Sequence, residues 1–216
     1  MRDFPVFTTQ NGVASLVLRE VPYKAEAYIT LQDTQEPELL LKECVEFCQA
    51  VGAEYIYAKG HPILEKYPLH TAVWQMQRAC NGLPETDAAL FPVTEDTLEQ
   101  WCRIYNEKMK TVPNASTVTM DYGKKLLERG AGYFVHRGNE LLGIGSIDGD
   151  TLESVISIKA GCGKDVLLAL CSAIFSDEIR LEVASVNVSA LKLYDKLGFI
   201  KTKELSRWFW VNKKQR

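Results

Sequence analysis

Residues 132–159 hold three apolar runs, 132–136, 140–147 and 152–159, separated by Arg137-Gly138-Asn139 and Asp148-Gly149-Asp150. Glycine flanked by Asn or Asp supplies the positive φ that a tight hairpin turn requires, so these separators commit the chain to an antiparallel three-stranded meander. A meander with one apolar face needs a covering layer. The following residues provide one: Gly161-Cys162-Gly163, then the apolar run Val166–Phe175, read as a helix over 164–176. An alternating stretch predicts a strand at 179–186. A short helix at 188–197 and a last strand at 199–211 complete the region.

The short helix is marked out residue by residue. Asn187 is a good N-cap, because its side-chain oxygen can accept from the free N–H groups of the first turn. Ala190, Leu193, Tyr194 and Leu197 follow at helical spacing. Gly198 suits the left-handed position that ends a helix, and Phe199 can pack back on it. Upstream, Leu90–Val93 reads as a strand. A helix capped by Thr94 or Asp96 runs to about Met109 with Leu98, Trp101, Cys102, Tyr105 and Met109 on its apolar face. A second helix runs from about Met120 to Glu128 and stops at Gly130. The order is β-α-α-β-β-β-α-β-α-β. It predicts an α/β (α+β) fold: a mixed, mostly antiparallel central sheet flanked by helices.

The N-terminal part reads as a smaller α/β region. Val13–Val21 and Glu26–Gln32 are expected strands, joined by a turn containing Pro22. Pro37 opens a helix that Gly52 ends, and strands follow at Glu54–Ala58 and Thr71–Arg78. Asn81-Gly82-Leu83-Pro84 begins a linker, so the expected domains are 1–89 and 90–216. The pattern at 53–76 echoes that at 178–210, as a truncated copy of the C-terminal fold would. Convergence on β-α-β patterning explains the echo as well.

Composition bounds the function. Among 216 residues the formal net charge is −3, which offers nucleic acid no electrostatic footprint. Residues 1–90 carry 7 basic and 12 acidic side chains, and residues 91–216 carry 18 and 16, so the C-terminal part is the better host for an anion. The N-terminus lacks an apolar leader, and the longest apolar run is shorter than the ~20 residues a membrane helix needs. No membrane association is expected. The six cysteines form no CxxC pair and the three histidines are scattered, so no metal site is expected. Cys44 and Cys48, one turn apart, read as buried reduced thiols in a cytoplasmic protein.

The motif Asn187-x-x-Ala190-x-x-Leu193-Tyr194-x-x-x-Gly198-Phe199, together with the element order, resembles the GCN5-related N-acetyltransferase (GNAT) superfamily over residues 90–211. The resemblance implies direct transfer of an acetyl group from acetyl-CoA to a primary amine of a small molecule, amino acid or peptide N-terminus. The family's glycine loop has Arg or Gln three residues before its first glycine. Gly161 and Gly163 fit the glycines, the Arg/Gln position falls on Ile158, and Lys159 stands beside it. The proline often found on the preceding strand is absent, Val155 lying near that place. Val155, Ile156, Ser157, Lys159, Gly161, Cys162, Gly163, Lys164, Asp165, Asn187 and Tyr194 are the implied cofactor contacts. Tyr194 is the implied proton donor to the leaving thiolate, with core packing as its plain alternative. Glu153 is the implied base, acting through water, with a solvated strand residue as alternative; Glu182 stands second. Asp148 and Asp150 read as turn formers, and Cys162 as a small space-filling residue. An edge strand at the C-terminus would allow a homodimer. The competing reading is a non-catalytic acyl-CoA-binding or protein-interaction module.

Overall fold

A computed structural model describes residues 5–212. In chain order it contains β1 (Val6–Thr9), β2 (Gly12–Val17), a single helical turn α1 (Val21–Lys24), β3 (Glu26–Asp33), α2 (Pro37–Ala50), β4 (Tyr55–Lys59), a 3-10 turn at Pro62–Lys66 and β5 (Leu69–Ala79). Then come β6 (Ala89–Pro92), α3 (Glu95–Met109), α4 (Met120–Glu128), β7 (Gly132–Arg137), β8 (Glu140–Asp148), β9 (Thr151–Ser157), α5 (Gly163–Cys171), β10 (Glu178–Ala184), α6 (Val188–Lys196) and β11 (Ile200–Trp210). From β6 onward the order is the one read from the sequence.

Two compact units divide the chain. One runs through Ala72 and takes back the chain from Leu205 onward; the other is Val73–Glu204. The expected domains, 1–89 and 90–216, cut the chain elsewhere, because β5 and β11 each pass from one unit into the other. In the first unit β1, β2 and β3 pair antiparallel, β4 pairs parallel to β3, and the end of β11 pairs antiparallel to β4. The face formed by Ala14, Leu16, Ala27, Ile29, Leu31, Ile56, Ala58 and Phe209 packs on Leu40, Leu41, Cys44 and Cys48 of α2. Burial pushes the Cys44 thiol up to about 12 and that of Cys48 to about 11, as expected of inert reduced thiols.

In the second unit the strands follow the order β5-β10-β9-β8-β7-β6, with β11 beside β5. β7, β8 and β9 form the antiparallel meander, its turns at Gly138 (φ +56°) and Gly149 (φ +60°), and β6 pairs antiparallel with β7. One face carries α3 and α4, through Leu98, Trp101, Cys102 and Leu126 against Phe134, Ile144 and Ile156. The other carries α5, whose residues Val166–Cys171 are all buried with Val135, Leu142, Leu152 and Leu181. Gly143 and Gly145 on β8 admit α5 closely. A Cβ at Gly143 would overlap the Ile156 carbonyl oxygen and stand 2.6 Å from Val166 Cγ2; at Gly145 it would overlap Leu170 Cδ1.

The structure departs from the sequence reading in four places. β1 was not expected; it hairpins onto β2 with Thr9 opposite Gly12. The strand expected to reach Val21 ends at Val17, and Pro22 instead lies in α1, which closes on Ala25 in the left-handed conformation. α5 ends at Cys171 rather than 176: the Ser172 hydroxyl donates to the Ala169 carbonyl and Ile174 N–H to Cys171, drawing the chain into a tighter turn. β11 lies between β4 and β5, so the last strand among the described residues is not an edge strand.

The sequence hairpin, helix, strand, helical turn, strand occurs twice, as β2-β3-α2-β4-3-10-β5 and as β8-β9-α5-β10-α6-β11. The last strand of each run pairs antiparallel with the fourth element of the other, β5 with β10 and β11 with β4.

Candidate functional site

The site begins where two parallel strands separate. β9 and β10 pair at only two positions, Thr151 with Arg180 and Leu152 with Leu181. Beyond them β9 stays bonded to β8 as far as Ser157, and β10 to β5 as far as Ala184. The backbone of 153–157 on the β10 side thus has no strand partner among the described residues, and a wedge opens toward the start of α5. The matching parallel pair of the first unit, β3 and β4, stays joined over five consecutive residues, Glu26–Tyr55 to Thr30–Lys59. Its helix α2 opens on Pro37, which has no N–H to offer.

At the mouth of the wedge the chain makes a type II turn, Lys159-Ala160-Gly161-Cys162, closed by Cys162 N–H donating to the Lys159 carbonyl at 3.4 Å. Gly161 sits at the third position with φ +86°, where such a turn requires glycine. Ser157 Oγ donates to the same carbonyl at 2.7 Å. Cys162 is the N-cap of α5 without a side-chain cap bond, so the first-turn N–H groups at Gly163, Lys164 and Asp165, at the positive end of the helix dipole, have no side-chain cap among the described residues. Gly163 lies against α6: a Cβ there would stand 3.4 Å from Leu193 Cδ2.

The charged residues expected at the loop have partners of their own. Lys159 pairs with Glu140; this hydrogen bond holds the lysine above its usual range and the carboxyl below its own. Asp165, in the first turn of α5, pairs with Arg137 at 3.1 Å, and Arg137 also holds Asp87 at 2.7 Å. Thr86 Oγ1 donates to Asp165 at 3.4 Å. The sequence contained no sign of these partners. Nor did it reveal Lys108, whose ammonium donates to the Ile158 carbonyl at 3.0 Å.

Glu153 stands at a bulge: Ser146 pairs with Ser154 and Ile147 with Leu152, leaving Glu153 as the extra residue. Strict alternation along β9 therefore breaks at this residue. Val155 packs on the α5 side and Ile156 on the α3–α4 side, while the Glu153 carboxylate meets Arg129 at 3.3 Å. Arg129, the C-cap of α4, also holds Asp148 at 2.9 Å. Asp150 pairs with Arg180 at 2.8 Å, and Glu182 is exposed on β10 opposite Gln75. Beside the bulge the buried hydroxyls of Ser146 and Ser154 meet at 2.8 Å, a pair the sequence did not single out.

Asn187 caps α6, accepting from Ala190 N–H at 3.3 Å and from Ser189 Oγ at 3.1 Å. Tyr194 is 7% exposed, with its ring 5.8 Å from Phe199. Burial, and then the neighbouring Cys171 thiol, push its phenol up to about 12. Its hydroxyl makes no hydrogen bond among the described residues. Trp101 is fully buried, its indole donating to the Tyr133 carbonyl at 3.2 Å, whereas Tyr122 is exposed. Trp208 and Trp210 belong to the first unit, against Tyr28 and Tyr57. Among the described residues no group of three His, Cys, Asp or Glu is placed to hold a metal ion. No helix there is long and apolar enough to cross a membrane.

No family model matches the sequence, and no curated protein matches it. Solved structures do. A GCN5-related N-acetyltransferase from Sphaerobacter thermophilus is 11% identical with TM-score 0.57, over 91% of this chain and 74% of that one. A conserved protein of unknown function from Staphylococcus epidermidis is 10% identical with TM-score 0.61, over 95% and 92%. A tandem GNAT protein from the clavulanic acid biosynthesis pathway is 11% identical with TM-score 0.51, over 92% and 77%. The chain has the GNAT fold. The likeness runs over nine-tenths of its length, well beyond the residues 90–211 that carry the sequence resemblance, and takes in the N-terminal unit.

Proposed function

We propose that this protein is an acetyltransferase that moves the acetyl group of acetyl-CoA to a primary amine, with the wedge between β9 and β10 as its donor site. One observation carries the reading: two parallel strands part after two residue pairs, and their open edge leads to a glycine turn at a helix N-terminus. Unpaired backbone groups along 153–157 suit the amides of a pantetheine arm, which a closed pair such as β3–β4 could not reach. The N–H groups that open α5, in a turn shaped by Gly161, suit a diphosphate. The donor supplies a thioester. In the reaction the amine nitrogen bonds the acetyl carbon, the carbon–sulfur bond breaks, nitrogen gives up a proton and sulfur takes one.

Tyr194 keeps its proton at neutral pH and is proposed to present it to the departing sulfur. Glu153, re-aimed by the bulge and held by Arg129, is proposed to take the amine proton through water. Tyr194's burial against Phe199 also suits a module that binds acyl-CoA without turnover. Calorimetric titration with acetyl-CoA, followed by thiol release with a panel of amines, separates the two. Binding and thiol release define the enzyme, binding without release on any amine defines the module, and no binding overturns the donor site. Amine or peptide acceptors, action without nucleic acid or membrane, and a cytoplasmic setting belong to this same proposal.

A further inference from the structure

The glycine turn has hydrophobic Ile158 where the resembling family places Arg or Gln, and Lys159 beside it is occupied by Glu140. We infer that Lys108, from the last turn of α3, supplies the missing cation and is a diphosphate-binding residue of this chain; the inference rests on the donor site proposed above. Its ammonium donates to the carbonyl of Ile158 itself, at 3.0 Å, which puts a charge fifty residues away in sequence at the base of the turn. That bond uses one of three ammonium protons and leaves two to face a ligand.

The charges around the turn leave two lysines without an ion pair among the described residues, and of these Lys108 is the one bonded to the turn's Ile158 carbonyl. Lys159 is matched by Glu140, and Arg137 stands between Asp87 and Asp165. Lys108 and Lys164 make no ion pair among the described residues. Four cations therefore stand against three carboxylates at this rim. Removing Lys108 leaves no net positive charge to oppose the dianionic diphosphate, apart from the N–H groups of α5. Lys108 also ties α3 to the turn through its bond to the Ile158 carbonyl.

The test is titration of acetyl-CoA into the unaltered protein, Lys108→Gln and Lys108→Arg, each at about 0.05 M and about 0.5 M salt. Lys108→Gln should weaken binding about tenfold at low salt, the difference should shrink at high salt, and Lys108→Arg should stay within about threefold of the unaltered protein. Equal affinity for Lys108→Gln and the unaltered protein overturns the role of the lysine alone. A loss shared by Lys108→Arg and indifferent to salt makes Lys108 a prop for the turn and overturns it too. An unaltered protein that binds no acetyl-CoA removes the donor site itself, and the role of Lys108 with it.

Discussion

Tyr194 sits with its ring in the core and its hydroxyl free of hydrogen bonds among the described residues. A phenol held near 12 by burial stays protonated across the physiological range, which a donor to a leaving thiolate needs. Tyr194→Phe should lower turnover ~10²-fold. It should change stability by less than about 1 kcal/mol, since no native hydrogen bond is lost. Turnover assays and urea unfolding on the same preparation separate the roles: unchanged turnover would leave Tyr194 as packing only. Glu153 calls for a different pair of readouts. Its ion pair with Arg129 is partly exposed and contributes about 0.5 kcal/mol. Glu153→Gln should therefore barely move the urea midpoint. If the carboxylate takes the amine proton, turnover should fall at least ~10²-fold; a fall with Arg129→Ala and none with Glu153→Gln would overturn the role of the carboxylate.

At the scale of elements, the position of α5 decides where the donor site can be. Gly143 and Gly145 leave a shallow track on β8 into which Val166 and Leu170 settle. A methyl group at Gly143 meets backbone on one side and Val166 on the other, and neither can withdraw cheaply. Gly143→Ala should cost about 2–3 kcal/mol, read as a lower urea midpoint. It should weaken acetyl-CoA binding too, because the turn at Lys159–Cys162 moves with the helix it opens. The contrast between the wedge and the β3–β4 pair makes a second prediction at this scale. Only one of the two repeated β-α-β runs has an open edge and a glycine turn, so calorimetry should give one acetyl-CoA per chain. A second equivalent site would contradict this reading of the closed pair.

For the molecule as a whole, several buried groups hold protons more tightly than they would unfolded. Burial is the leading cause for Cys44, Cys171 and Tyr57, each pushed up to about 12, and for Cys48, pushed up to about 11. The sign follows directly: a group with a raised folded pKa makes the native state the better proton binder, so stability falls as pH rises. Stability should be flat up to about pH 8, where unfolded thiols begin to ionise, and decline steadily through about pH 11. Urea midpoints measured across that interval check it, and Cys44→Ala should make the decline shallower. At the same scale, the exchange of last strands between the two runs joins the units by two continuous strands, β5 and β11.

Much of this was legible in the chain because it is local. Hairpin glycines, the cap at Asn187, the stop at Gly198 and the helix at Pro37 each depend on conformational preferences within a few residues, and they made the order of elements from β6 onward and the fold class readable. The partners of Lys159, Asp165 and Glu153 lie 19, 28 and 24 residues away on other strands and helices, and no periodicity marks them. The bulge at Glu153 is set by its neighbour β8, and the early end of α5 by a serine bonding back to its own helix. By itself the sequence determined the order of strands and helices from β6 onward and where a glycine turn precedes a helix, since those follow from φ, ψ and burial along one stretch of chain. Only the tertiary structure decided that β9 and β10 part after two pairs, that the last strands change partners, and that a lysine from α3 stands at Ile158. These depend on which distant backbone groups and charges meet, and chain proximity does not encode that.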